Sequence, residues 1–190
     1  MVLGGLVVVL LSVAVIMFSC FLPGLRETAP DLPTVAYVDI ERYQGKWYEI
    51  ARLPTWFQRT CAASTATYQI LGPGKISVEN ECREADGGQR SIRGTATVVD
   101  PKTNAKLEVA FDTWVFKIFG SLIKGKYWIL DLDADYQTAL VGTPDRHYLW
   151  ILARTPTLPE ERYQALVRRA RELDFKTENL IRNLPPAVVE

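Results

Sequence analysis

Eight strand-length segments with no helix between them constrain the fold of this chain more than any other feature. They are separated by turn-forming residues such as Gly72-Pro73-Gly74 and Asp86-Gly87-Gly88, and short connections of this kind join antiparallel neighbours. A parallel α/β sheet is excluded, because it needs a helix between consecutive strands. The predicted strands are residues 45–53, 63–71, 75–84, 89–99, 104–111, 125–132, 136–142 and 147–154.

The first and last strands carry residues that can close such a sheet on itself. Gly45 permits a tight turn at the start of the first strand, and Trp47 can plug one end of a barrel. Arg154, after the last strand, can stack on that Trp ring. Eight antiparallel strands close into a barrel just wide enough for one small ligand. We therefore predict an all-β fold, an eight-stranded antiparallel up-and-down β-barrel with Gly45, Trp47 and Arg154 at its floor.

A single amphipathic α-helix is predicted after the last strand. Thr157 and Glu160 fit a capping box, with Pro159 in the first turn. The apolar residues that follow at helical spacing are Tyr163, Leu166, Val167, Ala170 and Leu173. We expect this C-terminal helix to pack on the outside of the barrel and to bury the outer side of strands such as 125–132 or 45–53.

Alternating hydrophobicity predicts which side chains face the barrel interior. The chain contains five Trp, seven Phe and eight Tyr, more than an ordinary small core demands, and this favours an apolar cavity. The predicted ligand-cavity residues are Leu107, Val109, Phe111, Tyr127, Ile129, Trp150 and Leu152. The alternative is a barrel that its own side chains fill completely.

The N-terminal segment predicts export. Residues 2–19 contain no charged side chain, and Cys20 follows Ser19 as the modified cysteine does in a lipoprotein signal. We predict a signal segment over residues 1–19, lipidation at Cys20 (palmitate included) and a Pro-containing tether over 20–38. An uncleaved membrane anchor and an ordinary signal peptide are the alternatives. The barrel and helix are then expected over 39–184, followed by a tail over 185–190.

Cys61 and Cys82 are predicted to form a disulfide, since export places them in an oxidising compartment. A tight turn at residues 72–74 would set Cys82 opposite residue 63 or 64, so a bulge or fold-back at Cys61 is required. The alternative is a free thiol that acts as a nucleophile, which would need an activating base nearby.

An apolar connection is predicted at one rim of the barrel. Residues 114–123, with Trp114, Phe116 and Phe119, join the fifth and sixth strands, where a short polar turn would suffice. Alternate connections share one end of an up-and-down barrel, so this segment should lie beside Trp56 and Phe57. Two apolar loops at one rim predict a lipid portal, a membrane contact or a dimer face; the alternative is a lid folded over the mouth.

Charge and histidine content limit the function classes. Lys plus Arg and Asp plus Glu are equal at 22 each, so no net field recruits nucleic acid. His147 is the single histidine, and one His near a turn offers too few groups for a metal site or a Ser-His-Asp arrangement. We expect no metal, no cofactor and no enzymatic activity.

The longest motifs resemble the lipocalin family. Residues 42–52 read RYQGKWYEIAR and residues 144–156 read PDRHYLWILARTP, with Asp135-Tyr136 after the sixth strand. They are similar to the group of bacterial outer-membrane lipoproteins, plant temperature-induced lipocalins and apolipoprotein D, over roughly residues 39–183. The resemblance implies binding of fatty acids or lysophospholipids for membrane maintenance and lipid anchoring in the outer membrane.

Several alternatives to this reading stay open at the sequence level. The chain could be a lipocalin-fold enzyme that acts on an apolar substrate through a free Cys, or an envelope interaction module with a solid-packed barrel. It could also be anchored in the inner membrane or secreted, and it could form a homodimer.

Overall fold

A nine-stranded antiparallel sheet forms the body of the protein, in a computed structural model that describes residues 31–112 and 125–183. Two α-helices, α1 (Ile40–Tyr43) and α2 (Glu160–Glu172), and two 3₁₀ turns, Trp56–Gln58 and Thr177–Asn179, accompany it. The strands are β1 (Gly45–Arg52), β2 (Cys61–Gly72), β3 (Lys75–Glu84), β4 (Gln89–Val98), β5 (Lys106–Phe111), β6 (Gly125–Leu132), β7 (Thr138–Gly142), β8 (Leu149–Ala153) and β9 (Ile181–Arg182). No helix within these described ranges has the length and apolar composition needed to cross a bilayer.

Strand β1 closes the sheet into a barrel because it pairs with both β2 and β8. Its first four residues lie opposite residues 65–68 of β2, and residues 48–52 lie opposite residues 150–153 of β8. From β2 to β8 each strand pairs antiparallel with the next one along the chain. The predicted eight-stranded up-and-down barrel is therefore confirmed. Strand β9, which pairs with the end of β1, was not predicted from the sequence.

This strand order sorts the connections into two ends of the barrel. The β1–β2, β3–β4 and β7–β8 connections lie at one end, which we call the mouth. Helix α1 and the β2–β3, β4–β5 and β6–β7 connections lie at the other end, which we call the floor.

The chain joins the barrel before residue 39, earlier than the tether boundary expected from the sequence. Leu32 and Val38 are buried. The backbone N–H of Val35 donates to the carbonyl of Ile129, and that of Val38 donates to the carbonyl of Thr103. Leu32, Val35 and Val38 therefore pack against the barrel instead of remaining solvated.

Helix α1 brings an aromatic ring to the floor and was not predicted from the sequence. Its N-cap is Asp39, whose carboxylate accepts hydrogen bonds from the backbone N–H groups of Glu41 and Arg42. At four residues the helix is too short to give a periodic signal. Its last residue, Tyr43, is buried.

Helix α2 packs on the outside of the barrel, as predicted. The five residues of its predicted apolar stripe are all buried, in one cluster with side chains of β1, β6, β7 and β8. The cluster accounts for strands whose two faces are both apolar. The strand residues concerned are Ile50, Ala51, Leu130, Leu140, Leu149, Ile151 and Ala153.

The predicted capping box of this helix is wrong. Helix α2 begins at Glu160, its N-cap is Pro159, and no side chain caps it. The Thr157 side chain therefore does not cap the helix. The carbonyl of Thr157 instead accepts a hydrogen bond from the hydroxyl of Thr155.

Cys61 and Cys82 form the predicted disulfide, with Cα atoms 5.4 Å apart. Cys82 lies opposite Ser64 in the ladder between β2 and β3, and the register shifts between Cys61 and Ala63. The bulge that the sequence required is therefore present. Both cysteines of the described ranges are paired, so neither offers the free thiol of the enzyme alternative.

Removal of this disulfide should destabilise the barrel measurably. Replacing both cysteines with Ala should lower the free energy of unfolding by about 3 kcal/mol, because the bond closes a loop with a sequence separation of 21 residues. Chemical denaturation of the oxidised protein, the reduced protein and the double variant measures the change. The reduced protein and the double variant should have the same free energy of unfolding. Equal values for all three proteins would show that the disulfide does not restrain the unfolded chain.

Candidate ligand-binding site

The floor of the barrel is built around Arg154 and Trp47. Trp47 has no exposed surface, and the Arg154 guanidinium lies 3.9 Å from its ring centroid. The guanidinium also donates to the carbonyls of Arg42, Lys46 and Tyr136, at 2.8, 3.0 and 3.2 Å. One side chain thus ties α1, β1 and the β6–β7 connection together, and the stacking expected from the sequence is present.

Gly45 allows this arrangement at the start of β1. Its φ is +91°, a left-handed conformation that side chains with a Cβ rarely adopt. A Cβ placed there would lie 3.4 Å from Nη1 of Arg154. The glycine therefore serves both the backbone turn and the close approach of the guanidinium.

Three tyrosine hydroxyls form a hydrogen-bonded chain between the floor and the apolar interior. The hydroxyl oxygen of Tyr127 lies 2.8 Å from that of Tyr43 and 3.1 Å from that of Tyr68. The ring of Tyr43 packs on Trp47 and stacks on Tyr68, with centroids 4.9 and 5.7 Å apart. Of the three, only Tyr127 was predicted from the sequence to face the interior.

Burial keeps these hydroxyls protonated. Desolvation raises the pKa of Tyr68 to about 12, and the Tyr127 hydroxyl lowers that pKa in part through its hydrogen bond. Desolvation also raises the pKa of Tyr43 and of Tyr127 well above the ordinary tyrosine value. At neutral pH the cluster therefore carries three O–H donors and no charge.

The seven predicted ligand-cavity residues all belong to one cluster on the inner face of the barrel. They fall into two groups according to the exposed fraction of each residue. Four are buried, with exposed fractions of 7% or less: Leu107, Val109, Ile129 and Leu152. Three are only partly buried and pack against the others: Phe111, Tyr127 and Trp150. Most of the surface that this predicted set leaves accessible therefore belongs to three aromatic residues.

A buried ion pair lies on the inner face of β1 nearer the mouth. Glu49 is opposite Leu152 and Arg52 is opposite Trp150, and cross-strand partners share a face. The register shift between Glu49 and Ala51 is what turns Arg52 inward. Nη1 of Arg52 lies 3.0 Å from Oε1 of Glu49, and both side chains are at least 90% buried. Such a pair costs several kcal/mol if either partner is removed, since it leaves an uncompensated buried charge.

The Gln58 side chain joins this ion pair to the mouth of the barrel. Its amide donates to Oε2 of Glu49 at 2.8 Å and to the Ser64 hydroxyl at 3.4 Å. Its oxygen accepts from the indole N–H of Trp150 at 3.2 Å. The β1–β2 connection is thereby attached to β1, β2 and β8 through one amide group.

Aromatic rings lead from the outer rim into the interior. Trp56 and Phe57 are 71% and 44% exposed, and their centroids are 5.6 Å apart. Phe57 lies 5.8 Å from Tyr148, and Tyr148 stacks on Trp150 at 6.0 Å. The other predicted rim residues, Trp114, Phe116 and Phe119, lie outside the described residues, as does the predicted lipidation site, Cys20.

Some residues of this site were not predicted, although the sequence pattern could have indicated them. Glu49 follows Trp47 at the two-residue spacing of one strand face, so alternation alone could have placed it inside. Tyr68 lies opposite Gly45, a pairing that becomes visible only once the barrel closes. Arg52 could not be predicted, because its direction depends on the bulge in β1.

The family comparison identifies the class of protein. Residues 38–185 match the lipocalin-like domain family, and the chain belongs to the lipocalins. The fold also resembles insecticyanin from the tobacco hornworm Manduca sexta, with a TM-score of 0.65 and 21% identity over 83% of this chain and 86% of that one.

Curated relatives place the chain within the family more closely. It is 41% identical to temperature-induced lipocalin-1 of Arabidopsis thaliana, over 79% of this chain and 81% of the relative. It is 38% identical to the outer membrane lipoprotein Blc of Escherichia coli K12, over 75% and 77% of the two chains. It is 30% identical to mouse apolipoprotein D, over 78% and 83%.

The raised pKa of Tyr68 predicts how stability depends on alkaline pH. The unfolded tyrosine ionises near 10 while the folded one keeps its proton to about 12. The buried, protonated Tyr68 therefore stabilises the folded state fully below pH 10. This contribution is lost as pH rises toward 12, by up to about 1.4 kcal/mol per pH unit for one group. Denaturant unfolding between pH 9 and 12 should show a shallower decline for Tyr68→Phe than for the native protein.

The control for this experiment is Tyr37→Phe, since Tyr37 is 59% exposed. The free energy of unfolding of the Tyr37→Phe variant should fall with rising pH as steeply as that of the native protein. A decline for Tyr68→Phe that is as steep as in this control would mean that ionisation of Tyr68 does not oppose folding.

Proposed function

We propose that the protein binds a fatty acid or lysophospholipid inside the barrel and stores or transports it for membrane maintenance. The observation that carries the proposal is the buried apolar cluster on the inner face of the barrel, against which three aromatic residues, Phe111, Tyr127 and Trp150, pack while staying only partly buried. Apolar concave sites of this kind suit lipophilic ligands. An acyl chain gains about 0.8 kcal/mol for each methylene group that it removes from water.

We further propose that the protein acts in the cell envelope, anchored to the outer membrane by a lipid on Cys20. The support is the uncharged segment 2–19 before Cys20 and the similarity to a relative named outer membrane lipoprotein Blc. Inner-membrane anchoring and secretion are the alternatives. Fractionation of the native protein and of Cys20→Ser distinguishes them.

The exposed rings of the rim are proposed as the lipid portal or membrane contact. Trp56 and Phe57 are large apolar side chains on the surface, and ring contacts connect them through Tyr148 to Trp150. An acyl chain that followed these rings would stay in apolar contact from the rim to the interior. A homodimer through the same rim is the competing use of this surface.

Native mass spectrometry of the gently extracted protein is the experiment that tests the proposal as a whole. A carried lipid adds a discrete mass, which fragmentation identifies. A protein that never carries lipid, even after incubation with fatty acid or lysophospholipid, would favour the solid-packed interaction module. The thiol-based enzyme alternative is disfavoured by the pairing of Cys61 with Cys82.

Trp150→Asp should weaken fatty-acid binding more than it weakens folding, because it places an uncompensated charge beside the proposed acyl chain. Fluorescent fatty-acid titration gives the affinity, and thermal unfolding gives the stability. The matched control is Trp128→Asp, since Trp128 is also partly buried but packs against the outer cluster. Equal affinities of the two folded variants would show that Trp150 does not face the ligand.

Replacing Trp56 and Phe57 with Ser should leave the melting temperature almost unchanged, as expected for exposed positions. It should slow severalfold the transfer of a fluorescent fatty acid from donor vesicles to the full chain held in lipid nanodiscs. Tyr37→Ser, an exposed aromatic at the opposite end, should not change the rate. A large loss of stability without slower transfer would mean that these rings belong to a packed lid.

A further inference from the structure

The disulfide between Cys61 and Cys82 lies at the inner rim of the mouth. On β3, Ile76 and Val78 belong to the cluster on the inner face. Side chains on a strand alternate between its two faces, so Cys82 continues this inward series where β3 reaches the mouth. Cys61 is 7% exposed, whereas Cys82 is only partly buried. Cys82 is therefore the half of the disulfide that keeps more accessible surface.

A guanidinium group lies against both sulfur atoms. Arg90 is opposite Cys82 in the ladder between β3 and β4. Its Nη2 atom is 3.7 Å from Sγ of Cys61 and 3.7 Å from Sγ of Cys82. The same nitrogen donates to the Thr60 hydroxyl at 2.9 Å, and Nε of Arg90 lies 3.0 Å from Oε1 of Glu84. These two contacts hold the guanidinium beside the disulfide.

The position of this guanidinium favours cleavage of the disulfide by a thiolate. A thiolate that attacks one sulfur expels the other sulfur as a second thiolate. A neighbouring arginine stabilises a thiolate, and a better stabilised thiolate leaves faster. The Glu84 carboxylate opposes part of this effect, but it contacts Nε of Arg90, while Nη2 is the nitrogen that faces the sulfurs.

We propose that this disulfide is a site of exchange with a low-molecular-weight thiol, which attacks Cys82 and forms a mixed disulfide there. The thiol reacts as its thiolate, after its proton has gone to solvent. A bond forms between the thiol sulfur and Sγ of Cys82 while the bond between Cys82 and Cys61 breaks. The electron pair of the broken bond stays on Sγ of Cys61, beside Arg90. The thiol sulfur is oxidised and Cys61 is reduced in this step.

The position of the sulfurs favours a small thiol over a protein thiol. They lie inside the rim, where the β1–β2 connection ends and β2 begins at Cys61, so a compact molecule reaches Cys82 more readily than the surface of a folded protein does. Exchange removes the covalent link between β3 and the end of the connection that carries Trp56 and Phe57. The modification therefore loosens the rim, and it does so whether or not the barrel holds a lipid.

The test measures exchange in the folded, oxidised full chain held in lipid nanodiscs. The protein is incubated with 2-mercaptoethanol, quenched with excess N-ethylmaleimide and digested, and mass spectrometry locates the adduct. The mercaptoethanol adduct should be on Cys82 and the maleimide on Cys61. The rate should rise in proportion to the thiol concentration, because the folded protein reacts. An adduct mainly on Cys61, or a rate that levels off at the rate of unfolding, would overturn the proposal.

Four variants test the part played by the guanidinium. Arg90→Gln should slow exchange about fivefold, the size expected for one interaction between partly exposed charges. Salt at about 1 M should largely remove this difference, because it screens exposed charges. Arg90→Lys should keep part of the native rate, and Glu84→Gln should not slow exchange, since it removes only the opposing charge. The matched control is Arg93→Gln, which breaks an ion pair with Glu79 between the same two strands and should leave the rate unchanged.

The remaining outcomes separate this inference from its alternatives. Equal rates for the native protein and Arg90→Gln at low salt would show that the guanidinium does not assist exchange, and the proposal would be wrong. Reduced thioredoxin, a protein dithiol, should react no faster than 2-mercaptoethanol at equal thiolate concentration. A faster reaction would assign the disulfide to a protein partner instead. None of these results depends on lipid binding, so failure of either proposal leaves the other standing.

Discussion

Closure of the sheet through β1 is the constraint on which the rest of this structure depends. A strand that pairs on both sides leaves no free edge, and it also creates two open ends that water could enter. At the floor, Trp47 fills the opening and Arg154 ties β1 to α1 and to the β6–β7 connection. One guanidinium thus satisfies three backbone carbonyls that meet there, and the Trp47 side chain that fills the opening has no exposed surface.

The inside of the barrel is graded in polarity along its axis. Hydroxyl groups lie above the floor, apolar side chains fill the middle, and the Glu49–Arg52 pair with Gln58 lies toward the mouth. The tyrosine hydroxyls are hydrogen-bonded to one another, and the Glu49–Arg52 pair is hydrogen-bonded to Gln58 and Asn183. The grading favours a ligand whose long apolar part spans the middle and whose polar group meets one end.

The outer face of the barrel is apolar on one side, and helix α2 buries that side. Helix α2 covers one side of the barrel, where β1, β6, β7 and β8 are apolar on both faces. The remaining strands show a more open pattern, with exposed residues on their outer side. Helix α2 therefore covers the half of the barrel that carries β1, while the disulfide joins β2 to β3 near the mouth.

Short-range patterns in the sequence determined the strands, the turns between them, the helix stripe and the inward face of β5, since alternation and helical spacing are local properties. They also required the bulge at Cys61, because the turn at residues 72–74 fixes the register of two adjacent strands. Only the tertiary structure decided that Arg52 turns inward, that β9 pairs with β1, and that three tyrosines share their hydroxyl groups. Tyr43, Tyr68 and Tyr127 come from a helix and two strands that closure brings together, and no local pattern records which distant side chains will meet when a sheet closes.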